Sequence, residues 1–186
     1  MSTLVSVRSS GTTTLEYNWF KNFSQHVLEE VQSTPVPIAV VYTHNLIEQG
    51  GMTPGAHLNY LQFSGAAATP VDVEYNTTYQ TPQAAAGEGF QFAGYLSGTV
   101  KNVTFAYNVM IAAGNGIAMS YLVHAGGSQN AGIAHDNYVD RTAAYGWGYP
   151  GSFTGWTLSN NYNMTLGLCY PGRNLPSRPV DEGAAG

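Results

Sequence analysis

The sequence predicts an all-β protein, a solenoid of about six coils whose strands stack in parallel. Three observations predict it. The composition favours strands and turns over helices. One asparagine recurs down the chain inside a fixed apolar pattern. A second apolar run recurs between those asparagines.

The chain has 186 residues, enough for one domain with a sizeable core. Only 9% of them are charged, against roughly 25% in an average globular protein. Apolar content is an ordinary 44%, so polarity comes from Asn, Thr, Ser, Gln, Tyr and Gly. The strong helix formers Glu, Lys and Arg are scarce, which favours strands. A net charge of −5 with six basic residues lacks the electrostatic footprint of nucleic-acid binding. It suits a neutral or hydroxyl-rich ligand. Cys169 is the only cysteine, so no internal disulfide forms and a thiolate metal site is not expected. No apolar run approaches the roughly 20 residues of a membrane span. The opening MSTLVSVRSSGTTT lacks the apolar core of a secretory signal. The expectation is a chain that stays inside, leaves by another route, or is the C-terminal part of something longer.

The recurring asparagine stands at Asn18, Asn45, Asn76, Asn108, Asn137 and Asn161, spaced by 27, 31, 32, 29 and 24 residues. Three positions ahead of it stand Leu15, Tyr42, Val73, Phe105, Ala134 and Leu158, and five ahead Thr13, Val40, Val71, Val103, Gly132 and Trp156. Two positions after it stand Phe20, Ile47, Thr78, Met110, Val139 and Asn163. Apolar residues at alternate positions describe a strand with one buried face, here running into a turn. An asparagine in a turn tolerates left-handed backbone and bonds to nearby backbone. Stacked coil over coil, such residues also bond to one another in a ladder.

The second run reads HLNYLQF at 57–63, GFQFA at 89–93 and IAMSYLV at 117–123, each followed by a glycine at Gly65, Gly94 and Gly126. Two or three strands per repeat of about 29 residues describe one coil of a solenoid, whose parallel stacking buries one face of each strand. The best helical stretch, SQHVLEEVQ at 24–32, falls inside the first repeat. Residues 1–11 read as a lead-in, 12–167 as the repeat, and 168–186 as a proline-rich tail or cap over the last coil.

LEYNWF, VVYTHNLI, VDVEYNTTY, NVTFAYNVMI, IAHDNYVD and WTLSNNYNM together resemble the right-handed parallel β-helix superfamily, the pectate-lyase-like fold. The resemblance covers roughly residues 12–167 and rests on a stacking rule. It implies a right-handed parallel β-helix of about six coils and places acidic residues in a groove on its outer face. The catalytic motifs of the pectin-degrading families are not matched, so the resemblance assigns no catalytic role.

If the residues three and five ahead of the asparagine point inward, those two and four ahead point outward. Asp72 and Glu74 then leave one strand together, with His135 two strands away at roughly 10 Å. Paired carboxylates suit glycoside hydrolysis, in which one protonates the leaving oxygen and the other activates water or attacks. A polysaccharide lyase instead needs a base, commonly Arg or Lys, and often Ca²⁺, which no motif here supports. The stretch HDNYVDR gathers His135, Asp136, Asp140 and Arg141 into one short segment of a charge-poor chain. Asp136 falls at the bend, and Asp140 and Arg141 in the loop that follows. The plainer account of these residues is a solvated strand face and an Asp–Arg turn pair.

Tyr17, Tyr75 and Tyr107 share one column with His44, and Tyr145, Trp147 and Tyr149 lie among glycines at 143–151. Flat aromatic faces suit pyranose rings; the plainer account is a column stacked at a bend. His44 and His124 lack the spaced partners of a metal site and read as packing or bend residues. The sequence therefore points to a carbohydrate-active protein that binds or processes a polysaccharide, with no cofactor, and extracellular or at a cell surface in its full-length form. The alternative is a non-catalytic adhesin or phage tailspike-like protein, with a homotrimer expected if it is a fibre.

Overall fold

The computed structural model of the chain describes residues 4–7, 11–31, 38–50, 59–64, 67–80, 88–95, 99–112, 121–124, 131–140, 153, 155–164 and 178–179. Among these, all regular structure is strand, arranged as three sheets that the chain visits in rotation. The first sheet holds β1 (Val5–Val7), β4 (His26–Val31), β7 (Asn59–Ser64), β10 (Glu88–Tyr95) and β13 (Tyr121–His124). The second holds β2 (Gly11–Glu16), β5 (Ile38–Thr43), β8 (Ala67–Glu74), β11 (Thr99–Ala106), β14 (Ala131–His135) and β16 (Thr157–Ser159). The third holds β3 (Trp19–Lys21), β6 (Leu46–Glu48), β9 (Thr77–Gln80), β12 (Val109–Ala112), β15 (Tyr138–Asp140) and β17 (Tyr162–Met164), closed by β18 (Arg178–Pro179). Every pairing is parallel except that of β17 with β18. No helix among the described residues is long and apolar enough to cross a membrane.

The asparagine of each repeat stands between a strand of the second sheet and one of the third. The register puts equivalent positions beside one another, as Tyr42 beside Val73 and Val73 beside Phe105. Both inward columns ahead of the asparagine are confirmed: Val40, Tyr42, Val71, Val73, Val103, Phe105 and Ala134 are fully buried or nearly so. The strands of the first sheet add Tyr60, Phe63 and Phe90, and Phe90 meets Tyr42, Tyr60 and Phe105 edge to face at 5.3–6.0 Å between centroids. Gly132 is the small member of its column for a steric reason. A Cβ there would lie 2.6 Å from the Val103 carbonyl oxygen and 3.0 Å from the Trp156 indole of the next repeat.

Two expectations need correction. The stretch at 24–32 is not helical, because His26–Val31 is strand β4, hydrogen-bonded between β1 and β7. A neighbour on each side and the burial of Val27 and Leu28 outweigh the modest helix preference of Leu and Glu. The left-handed residue of each corner is also not the asparagine but the one before it: Tyr17, His44, Tyr75, Tyr107, Asp136 and Asn160, with φ between 52° and 57°. Val5–Val7, in the lead-in, and Arg178–Pro179, in the tail, are strands of the first and third sheets.

The asparagines do form a ladder. Asn18, Asn45, Asn76, Asn108 and Asn137 each donate Nδ2–H to Oδ1 of the next at 2.8–3.1 Å. Each also donates its backbone N–H to that same oxygen at 3.0–3.2 Å. From Asn45 onward the second Nδ2–H is donated back to a carbonyl of the preceding repeat, on Leu15, Tyr42, Val73, Phe105 and Ala134. A primary amide offers two donors and two acceptor sites; at Asn45, Asn76, Asn108 and Asn137 all four are used. That is why Asn76, Asn108 and Asn137 tolerate complete burial.

Asn108→Ala would strand the backbone and side-chain donors of Asn76 and the carbonyl of Val73. At roughly 1–3 kcal/mol for an unsatisfied buried group, a loss of about 4 kcal/mol is expected in urea unfolding. Asn18→Ala at the ladder's end removes no acceptor from a preceding repeat and should cost about 1 kcal/mol. Equal losses at the two positions would contradict a ladder that matters most in its interior.

Candidate functional site

The left-handed corner turns the residue before each asparagine out of the stack. Because the corners are in register, these side chains form one row. Tyr17 stacks on His44 at 4.8 Å, His44 on Tyr75 at 4.9 Å, and Tyr75 on Tyr107 at 4.7 Å, with interplanar angles of 10–23°. These separations equal the spacing of neighbouring strands, so the backbone sets the stack. The row ends at His135, whose ring meets Tyr107 edge-on at 5.2 Å. After Tyr107 the column continues with Asp136 and Asn160, which have no rings to stack.

Asp72 and Glu74 occupy alternate positions of β8 and are half-buried on its outward side. Glu74 and His135 are both registered with Ala106, one on each side of it. This places them two strands apart, as the spacing of the repeat predicts. Ala106 itself is buried despite its outward position, as is Thr43, so this face is partly covered, not uniformly wet. Thr43 donates its hydroxyl hydrogen to Glu16 Oε1 at 3.0 Å. His135 Nδ1 lies 2.8 Å from Asp136 Oδ2, which orients the imidazole.

Electrostatics ties these groups together. The Glu74 carboxyl is raised above its ordinary value by burial and then by Asp72, while His135 and His44 pull it back. Its field therefore reaches both ends of the cluster. The Tyr107 phenol is raised too, by desolvation and by Asp136, Tyr75 and Glu74. Asp72, Glu74, His135, Asp136, Tyr75 and Tyr107 thus form one neighbourhood at the corner between the second and third sheets. His44 belongs to it as well; its place between Tyr17 and Tyr75 in the column was the signal. Among the described residues no group of three or more His, Cys, Asp or Glu side chains is placed to hold a metal ion.

The remaining candidates fall elsewhere. Asp140 ends β15 opposite Met164; its side chain, with Arg141, Tyr145, Trp147 and Tyr149, lies outside the described residues. His124 ends β13, and its side chain lies outside them too. A second small cluster escaped sequence reasoning: Trp19 donates Nε1–H to Glu48 Oε2 at 2.8 Å, and Lys21 lies 3.4 Å from the same oxygen. Its members sit one repeat apart on β3 and β6, and the register that joins them is invisible in linear spacing.

The aromatic row separates two effects at one residue. Tyr75→Ala loses ring stacking on both sides and keeps a side chain in left-handed backbone, whereas Tyr75→Gly loses the same rings without that cost. Glycine should be the more stable variant by about 1 kcal/mol in denaturant unfolding; alanine equal to or above glycine would contradict a strained corner. The carboxyl pair yields a pH signature. A folded-state pKa raised above the unfolded value favours the fold most below the unfolded pKa, and that benefit is lost as pH rises through the folded one. The stability of Glu74→Gln relative to the parent should therefore increase with pH across the carboxylate range, and flatten above it. A difference independent of pH would mean that Glu74 is not held up by Asp72 and burial.

No family model, no curated protein and no solved structure matches the chain significantly.

Proposed function

We propose that the chain is a section of a right-handed parallel β-helix that binds and hydrolyses a polysaccharide along the corner built by Asp72, Glu74, His135 and the tyrosine row. Three parallel sheets visited in rotation support that architecture, and the strong preference of parallel crossovers for the right hand supports its handedness. The single observation that carries the chemistry is a pair of carboxyls on one strand face, one of which, Glu74, is raised by burial. Glu74 is pushed up by burial and then by Asp72, and a carboxyl raised in this way suits the role of general acid. Glu74 then protonates the leaving oxygen while Asp72 stabilises the developing positive charge or activates water. His135, fixed by Asp136, reaches the same ligand from two strands away.

The charge around the site favours a neutral or amino-bearing glycan over a uronate. Asp72, Glu74 and Asp136 are all acidic. The described lysines lie elsewhere: Lys21 is paired with Glu48, and Lys101 sits five residues back along β11 from Ala106, roughly 16 Å away. A lyase or epimerase acting on uronates needs cationic charge, and among the described residues no lysine or arginine side chain belongs to this cluster. Within the row, ring faces between neighbours are occupied by one another, so Tyr75 and Tyr107 would offer edges and hydroxyls to a sugar. An extracellular or cell-surface setting follows from such a ligand.

A second reading has its own support. A row of mutually closed rings over a fully bonded ladder makes a rigid ridge suited to a non-catalytic adhesin or tailspike-like fibre, which would assemble as a homotrimer. One experiment separates the two. Incubation with a panel of neutral, amino and uronic glycans should release reducing ends from a neutral or amino polymer, with at least a hundredfold loss in Glu74→Gln and Asp72→Asn. Ultraviolet absorbance from unsaturated uronates would mark a lyase instead. Binding without turnover, by a stable trimer in sedimentation, would favour the adhesin.

A further inference from the structure

The two ends of the ladder are chemically different. Every amide-to-amide bond runs one way, from Nδ2 on the earlier repeat to Oδ1 on the later one. At the N-terminal end Asn18 Oδ1 accepts no bond among the described residues, and the second Nδ2–H of Asn18 does not reach a preceding repeat. It folds back on the carbonyl of Glu16 in its own repeat at 3.0 Å, where each later amide reaches across. The backbone repeats the pattern. Leu46, Thr77, Val109, Tyr138 and Tyr162 donate their N–H to the carbonyls of Asn18, Asn45, Asn76, Asn108 and Asn137; Trp19, the equivalent residue of the first repeat, has no such partner among the described residues.

Packing agrees. Strands β1, β2 and β3 are the terminal strands of all three sheets. Leu15 and Phe20, inward residues of the first repeat, are only partly buried, while their successors Tyr42 and Ile47 are fully buried. Tyr17 and Trp19 are 76% and 64% exposed, and among the described residues only His44 stacks on Tyr17. The other end differs, since β18 lies antiparallel against β17 and closes the third sheet.

We infer that the edge formed by β1, β2 and β3 is a docking surface for one more circuit of polypeptide of the same kind, three parallel strands with an asparagine at the corner. Its corner amide and backbone N–H donate to Asn18 Oδ1, and Asn18 Nδ2 turns from Glu16 to a carbonyl of the incoming strand. A second copy of this chain does not fit. Docked by its C-terminal end it meets β18 in the way, and docked edge to edge it sets one Asn18 Oδ1 against another, acceptor against acceptor.

The test is a graft on the full chain. A duplicate of residues 26–48, carrying one strand for each sheet and a copy of Asn45, is joined ahead of Leu4 through a copy of residues 22–25. The graft should raise Tm by about 5 °C, since stacked repeats gain stability from each new interface, and should slow exchange of the Asn18 side-chain amide protons. The same graft with the copied asparagine changed to alanine should lose most of that gain. No rise in Tm, or an equal rise with alanine, overturns the inference. A measurement on the unmodified protein stands apart from the folding of any graft: the Trp19 amide should exchange with solvent far faster than the Leu46 amide, and comparable protection means that the edge is already covered. A dimer in sedimentation that Asn18→Asp dissociates would identify a second copy as the occupant and overturn the inference as well.

Discussion

The buried corner amide is the constraint on which the rest of the structure depends. An asparagine with no access to water is destabilising unless each of its donors and acceptors is matched. Among the described residues the groups that match them are the equivalent residue one repeat away and the backbone just beside it. Satisfying one amide therefore fixes the register of two neighbouring strands, and doing so along the row fixes the second and third sheets together. The apolar columns supply the driving force for burial, but apolar contacts alone tolerate a slip of register far better than this network does.

The outer surface is a by-product of that requirement. Bringing the amide inside demands a sharp corner, and the left-handed residue just ahead of it absorbs the bend. Its side chain is forced outward at a repeat equal to the strand spacing, which is also a favourable distance for stacked rings. Tyr17, His44, Tyr75 and Tyr107 exploit this, and their contacts offset part of the strain that a side chain bears in left-handed backbone. The carboxyls of β8 then lie next to a wall of rings. Partial burial and, after it, the closeness of Asp72 hold a proton on Glu74 to higher pH than an open strand face would.

Much of this was legible in the linear sequence because a stacked repeat writes its long-range contacts as a period. The ladder, the inward columns, and the separation of Glu74 from His135 all follow from aligning six asparagines. What escaped were features decided by three-dimensional neighbours. Strand β4 carries Leu-Glu-Glu, a local helix signal, and becomes a strand only because β1 and β7 flank it. The left-handed residue was misplaced by one position because Tyr, His and Asp in that column share no common backbone preference; the corner imposes the conformation on them. The reciprocal sizes of Gly132 and Trp156 make sense only once the indole is seen to fill the space above the missing side chain. At the candidate site, the carboxyls and His135 could be found from spacing, whereas the closed ring faces depended on orientation, which no column of letters encodes.

The sameness of the rungs has an evolutionary consequence. Asn45, Asn76, Asn108 and Asn137 each meet an identical chemical environment above and below, so a whole repeat inserted by duplication finds its partners ready on both sides. A lone change at a corner finds none. Such a protein should vary among its descendants more readily in length than in the identity of its corner amides, and that length would be set by how many times one short stretch of gene has been copied.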